Sequence, residues 1–122
     1  MDTGQPKGYK NLKVWQKSVE LAIAIYKLTE EFPKSEIYGL TSQMRRASIS
    51  VSSNIAEGSR RRSNKDFSHF LVMAQGSGSE LETQIEIARK LSFGKKINFT
   101  EIDLLLDEIM RMLSSLIKST NL

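Results

Sequence analysis

The chain has 122 residues, no cysteine, 26% charged residues and a formal net charge of +4. That length builds one domain with a modest core, and the missing cysteine excludes disulfides, thiolate zinc sites and a Cys-His nucleophile while fitting a reducing, cytoplasmic compartment. The opening MDTGQPKGYKNLKVW has no apolar signal-peptide core, and the apolar run Leu21 to Tyr26 is far too short to span a bilayer, so a soluble protein with no membrane partner is expected.

The domain is read as the whole of 1–122, with residues 1–10 as a flexible N-terminal segment. From Leu12 to Phe32 the spacing predicts a first helix, with Val14, Leu21, Ile25, Leu28 and Phe32 on one seam and Trp15, Val19, Ala22 and Tyr26 on its neighbour. Lys13, Lys17, Glu20, Lys27 and Glu31 form the solvated stripe opposite, and Pro33 ends the pattern.

A second helix is predicted from about Tyr38 to Glu57, on Leu40, Met44, Ala47, Val51 and Ile55. It is rich in serine (Ser48, Ser50, Ser52, Ser53), so packing must hold it together, and its small side chains permit a close helix approach. Gly58 suits a left-handed C-terminal cap, and Ser63 with Asp66 reads as the N-terminal signal of a third helix over about 63–92. Its seam is Phe67, Leu71, Ala74, Gly78, Leu81, Ile85 and Ala88. Gly76 and Gly78 each cost roughly 1 kcal/mol against alanine inside a helix, so close contact with the serine-rich helix is expected to compensate.

FGKKINF is read as a loop and Thr100 as the cap of a fourth helix, with Glu101 and Asp103 in its first turn. Ile102, Leu105, Leu106, Ile109, Met112, Leu113, Leu116 and Ile117 make a wide apolar face that Leu104 and Met110 widen further. Four helices with short connections and no strand pattern give an all-α, antiparallel up-down-up-down four-helix bundle. The doubled seam of the first helix and the broad fourth exceed one small core, so a homo-oligomer is expected, with Val14, Leu21, Ile25, Leu104, Met110 and Met112 as interface candidates.

The inventory argues against catalysis. A di-iron bundle site wants two Glu-x-x-His motifs, and this chain has one histidine, His69, with only Asp66 at helical spacing; no metal or cofactor is expected. GSGSEL lacks the third glycine and preceding strand of a phosphate loop and lies within a helical seam. Glu57 lies on the line of Arg46, Ser50 and Ser53, and the third helix could bring Glu80 beside it as a carboxylate pair. The favoured reading is structural, a partly buried glutamate that accepts hydrogen bonds from serine or asparagine, or pairs with an arginine, to fix packing register.

Charge is concentrated: residues 40–65 carry six Lys/Arg against one Asp/Glu, whereas 66–122 carry six against eight. Arg45, Arg46, Arg60, Arg61, Arg62 and Lys65 are therefore the candidate phosphate contacts. Aromatic residues in this segment are scarce, only Tyr38 before it and Phe67 after it, which argues against sequence-specific recognition of single strands.

The runs YKNLKVWQKSVELAIAIYKLTEEFP and RRASISVSSNIAEGSRRRSNKDFSHFLVMAQGSGSELE carry a further signal. Their specific parts are Leu12 to Trp15, Asn54 to Gly58, and Phe70-Leu71 followed by Ala74, Gly76-Ser77 and Glu80 to Glu82. From about Tyr9 to Leu116 the chain closely resembles the bacterial four-helix-bundle proteins encoded by intervening sequences within 23S rRNA genes. One departure is Ser52, where such proteins often have proline. The resemblance implies ring-forming homopentamers, similar to the accessory protein of diversity-generating retroelements, which binds nucleic acid and a reverse transcriptase. The ribosomal-protein name sometimes given to such proteins reflects the position of their genes within rRNA. The first functional expectation is a non-enzymatic oligomer that binds RNA or DNA through its basic segment; the alternative is an assembly or adaptor module whose only partners are itself and another protein.

Overall fold

The structure is a computed structural model and describes residues 8–121. Four helices, α1 (Lys13–Thr29), α2 (Leu40–Ser59), α3 (Asn64–Lys90) and α4 (Thr100–Thr120), account for most of it. Short 3-10 turns cover Gly8–Asn11, Lys34–Glu36 and Ser92–Lys96, and no strand occurs among the described residues. The flexible segment expected over 1–10 lies outside the described residues up to position 7; beyond that the chain is already in the first 3-10 turn, where the Tyr9 ring meets Trp15 edge-on at 5.0 Å.

The helix ends follow from local chemistry. Beyond Thr29 the backbone tightens, Glu31 N–H donating to Leu28 O at 3.0 Å and Phe32 N–H to Thr29 O at 3.1 Å. Pro33 then offers no N–H and disfavours a helical residue before it, so α1 stops short of the expected Phe32. Phe32 is nonetheless buried, its ring 4.9 Å from that of Phe93. The second helix begins at Leu40, later than expected, with Glu36 Oε1 accepting from Leu40 N–H at 3.1 Å. Ser63 caps α3 as predicted, Oγ accepting from Asp66 N–H at 3.1 Å. Thr100 is not the cap of α4: Asn98 Oδ1 accepts the Thr100 N–H at 3.0 Å, and Thr100 is the first helical residue.

Cross-helix contacts are those of antiparallel neighbours. Along α3, Ser68, Gln75 and Arg89 meet Asn121, which follows the last turn of α4, and Ser114 and Asp103 of α4, the partner number falling as the α3 number rises. Arg45 near the start of α2 reaches Thr29 at the end of α1, Ser50 meets Ser77 of α3, and Lys17 pairs with Glu108 of α4 at 3.6 Å. Two hydrogen bonds, to Asp103 first and to Glu86, hold the Arg89 guanidinium above its ordinary pKa, and the Asp103 bond ties α3 to α4.

The predicted seams meet in one core. Val14, Leu21, Ile25 and Leu28 pack with Met44, Ala47, Val51, Ile55, Leu71, Ala74, Leu81, Ile85, Ile102, Leu106, Ile109 and Leu113, all buried. This corrects the interface expectation: Val14, Leu21 and Ile25 are interior to the protomer, each at most 1% exposed. Leu104 does face outward, 67% exposed, while Met110 and Met112 are half-buried against the core. No described helix is long and apolar enough to cross a membrane.

The glycines divide differently from expectation. α2 runs through Gly58 to Ser59, so Gly58 is not a left-handed cap; it is buried where α2 crosses α3, and a Cβ there would lie 2.6 Å from Phe70 Cβ. α3 is continuous through both of its glycines. Gly78 faces the Met110 side chain of α4 and not the serine-rich helix, and Gly76 faces open space. Two substitutions separate these roles by thermal denaturation. Gly58→Ala is expected to destabilise by about 1–3 kcal/mol through overpacking, and Gly76→Ala to stabilise by up to roughly 1 kcal/mol through helix propensity.

Candidate nucleic-acid interface

The six cations of residues 40–65 do not form one patch. Arg45 and Arg46 lie near the start of α2, and Arg60, Arg61, Arg62 and Lys65 lie past its end. Some fourteen residues of helix separate the two groups, about 21 Å at 1.5 Å per residue.

Arg45 is committed to the fold. Its Nε donates to Thr29 Oγ1 at 2.9 Å and its Nη2 to Tyr26 O at 3.3 Å, and the guanidinium lies 4.5 Å from the centre of the Tyr26 ring. It closes the end of α1, whose last carbonyls have no intrahelical partner. Arg46 is exposed and shares the rim of an open depression with Tyr38 and Ile49.

The other four cations gather at the α2–α3 corner. Four residues, 60–63, connect the two helices, and Arg60, Arg61, Arg62 and Lys65 are all exposed there. Arg61 Nη2 lies 2.6 Å from Glu57 Oε2, one helical turn back, and the Arg61 guanidinium lies 4.7 Å from the centre of the Phe70 ring. The guanidinium of Arg60 lies 5.2 Å from the centre of the Tyr9 ring. Among the described residues, Arg60, Arg62 and Lys65 have no carboxylate within ion-pair distance.

Glu57 is exposed, not partly buried as expected, and its partner is Arg61. Glu80 is exposed near the middle of α3, whereas Glu57 sits at the end of α2 facing the start of α3, so antiparallel packing keeps the two apart and no carboxylate pair exists. Asn54 bonds within its own helix, its Nδ2 donating to Ser50 O at 2.9 Å and Ser50 Oγ at 3.1 Å, and it is Ser50 Oγ that reaches α3, sharing a hydrogen bond of 2.9 Å with Ser77 Oγ. Among the described residues no three His, Asp or Glu side chains gather as a metal site, and His69 is exposed beside the Phe70 ring.

Sequence reading missed Tyr9 and Phe70 as neighbours of the arginines. Phe70 is three residues past Phe67 on the same helical face, a signal that was legible. Tyr9 is far from Arg60 in the chain, and only the bundle brings them together.

Four antiparallel helices around one core, with a basic connection at one corner, define an all-α four-helix-bundle protein. The model of the family described as 23S rRNA-intervening sequence protein matches residues 10–115, which takes in α1, α2, α3 and most of α4, and the chain belongs to that family. A search of curated proteins returns no match.

Two substitutions distinguish the arginines. Arg45→Ala, which removes two hydrogen bonds and a cation–ring contact, is expected to cost about 1–3 kcal/mol of stability. Glu57→Gln breaks only a solvent-exposed pair and is expected to cost less than about 1 kcal/mol. Chemical denaturation followed by circular dichroism measures both.

Proposed function

We propose that the protein is a non-enzymatic, cytoplasmic homo-oligomer that grips the phosphate backbone of RNA or DNA with its α2–α3 corner. The observation that carries this reading is the corner itself: four exposed cations, three on the short connection and Lys65 in the first turn of α3, against two carboxylates, Glu57, which pairs with Arg61, and Asp66. Each phosphate neutralised there releases condensed counterions, which drives binding with little regard to base sequence. The closed ring of five copies that the family resemblance implies repeats the corner around one assembly, so weak single contacts add through effective concentration. Arg46 lies too far along α2 to share a phosphate with the corner of its own protomer, and Arg45 serves the fold.

The second reading is an assembly or adaptor module that binds protein alone. It draws on the outward side of α1, where Val19, Ala22, Ile23 and Tyr26 line an apolar depression of about 270 Å³ and Ile23 is 53% exposed, and on Leu104 of α4. Those side chains suit a partner surface, whether a second copy or another polypeptide.

Binding to duplex DNA measured over a salt series tests the first reading. The logarithm of affinity is expected to fall with the logarithm of salt at about 0.9 per phosphate contacted. Joint replacement of Arg60, Arg61 and Arg62 by Glu is expected to abolish binding, while the same reversal at exposed Lys34, Lys95 and Lys96, outside the corner, leaves it largely in place. Retained binding by the corner variant, or none by the wild type at low salt, favours the protein-only module. Sedimentation at micromolar concentration is expected to give an oligomer; a strictly monomeric mass removes the multivalent part of the proposal.

A further inference from the structure

The corner holds more than charge. Arg60 rests against Tyr9, which is itself braced edge-on by Trp15, and Arg61 rests against Phe70. Tyr9 and Phe70 are half-buried while both arginines are exposed, with the guanidinium carbons 5.2 Å and 4.7 Å from the respective ring centres. A guanidinium held in this way is a flat, charged plate with little conformational freedom left to lose on binding. Plates of this kind stack on nucleobases, and bases are free to stack only where a strand is unpaired.

Resting on the backbone-binding reading above, we propose that the corner selects single-stranded polynucleotide: bases stack on the outer faces of Arg60 and Arg61 while Arg62 and Lys65 hold the adjoining phosphates. The division of labour follows from the contacts. Arg62 and Lys65 have neither a ring nor a carboxylate partner among the described residues and are free to follow a backbone. Arg61 is held by Glu57 through one nitrogen, Nη2, and by the Phe70 ring, and remains exposed to a base. The scarcity of aromatic residues within 40–65 is therefore made good by rings from the first 3-10 turn and from α3. Stacking of this kind is indifferent to base identity, so the selection is for unpaired strand and not for sequence.

Equilibrium binding of the full chain to four probes of equal phosphate number is the test: single-stranded RNA, single-stranded DNA, a duplex, and an abasic single strand that keeps every phosphate and lacks the bases. Both base-bearing single strands are expected to bind on the order of a hundredfold more tightly than the abasic strand, about tenfold for each of the two stacked bases. The double variant Arg60→Lys with Arg61→Lys keeps the charge and removes the plates. It is expected to bring the base-bearing strands down to the affinity of the abasic one, so the ratio between them vanishes whatever change in backbone affinity all four probes share. Equal affinity for base-bearing and abasic strands, or lysine variants that bind like the wild type, overturns the stacking inference and leaves the backbone-binding reading standing. Failure of all four probes to bind at low salt overturns both.

Discussion

Where Gly58 passes Phe70, a hydrogen occupies the place in which any other residue would set a Cβ 2.6 Å from the Phe70 Cβ. That approach sets how near α2 lies to α3, and the rest of the interface is built to match it. Further along, the contact is carried by Ser50 and Ser77, small enough for their hydroxyls to meet, with Asn54 tied in from the next turn. A close crossing of small residues buries little apolar area per residue, so the core must gain elsewhere. It does so toward α1 and α4, whose Leu21, Ile25, Ile102, Ile109 and Leu113 are fully enclosed.

The serine content of α2 is compatible with burial because three of its hydroxyls turn back on their own helix and that of Ser50 meets Ser77. Ser48 is fully buried and donates to Arg45 O at 2.9 Å, and Ser52 and Ser59 make the same kind of bond one turn back. Each satisfies a polar group at no cost in reach, which is what lets a helix of modest propensity sit inside a bundle. Among the described residues Gln84 is the exception, its Oε1 buried without a hydrogen-bond partner on the length of α3 beyond Ser77. The same crossing also places the arginines: with Gly58 drawn against Phe70, the chain leaves α2 beside the start of α3, and Arg61 falls onto the Phe70 ring.

Much of this was legible because helical periodicity is local. Val14, Met44, Leu71 and Ile102 each announce a buried stripe by their spacing, and Ser63 announces a helix start by the carboxylate three residues on. Glycine carries no such mark. Gly58 near a helix end fits a cap and a crossing equally well, and only the position of Phe70 decides; Gly76 and Gly78 look alike in the chain although one faces open space and the other Met110. The basic segment misled for a related reason. Charge counted along a sequence treats Arg45 and Arg60 as neighbours, whereas a helix carries them to separate ends and leaves one bonded to Thr29 and Tyr26. The pairing of Tyr9 with Arg60 is tertiary, and no local pattern encodes it.

The three helix connections are unequal, four residues between α2 and α3 against ten between α1 and α2 and nine between α3 and α4. Closing a loop costs about 0.6 kcal/mol more for each doubling of its length. Chain entropy therefore favours the α2–α3 hairpin as the first long-range pairing on the folding route, ahead of the α1–α4 contact that joins the most distant parts of the sequence. On that route the arginine corner takes shape before the ring of helices closes, and the Tyr9 ring arrives with α1 afterwards.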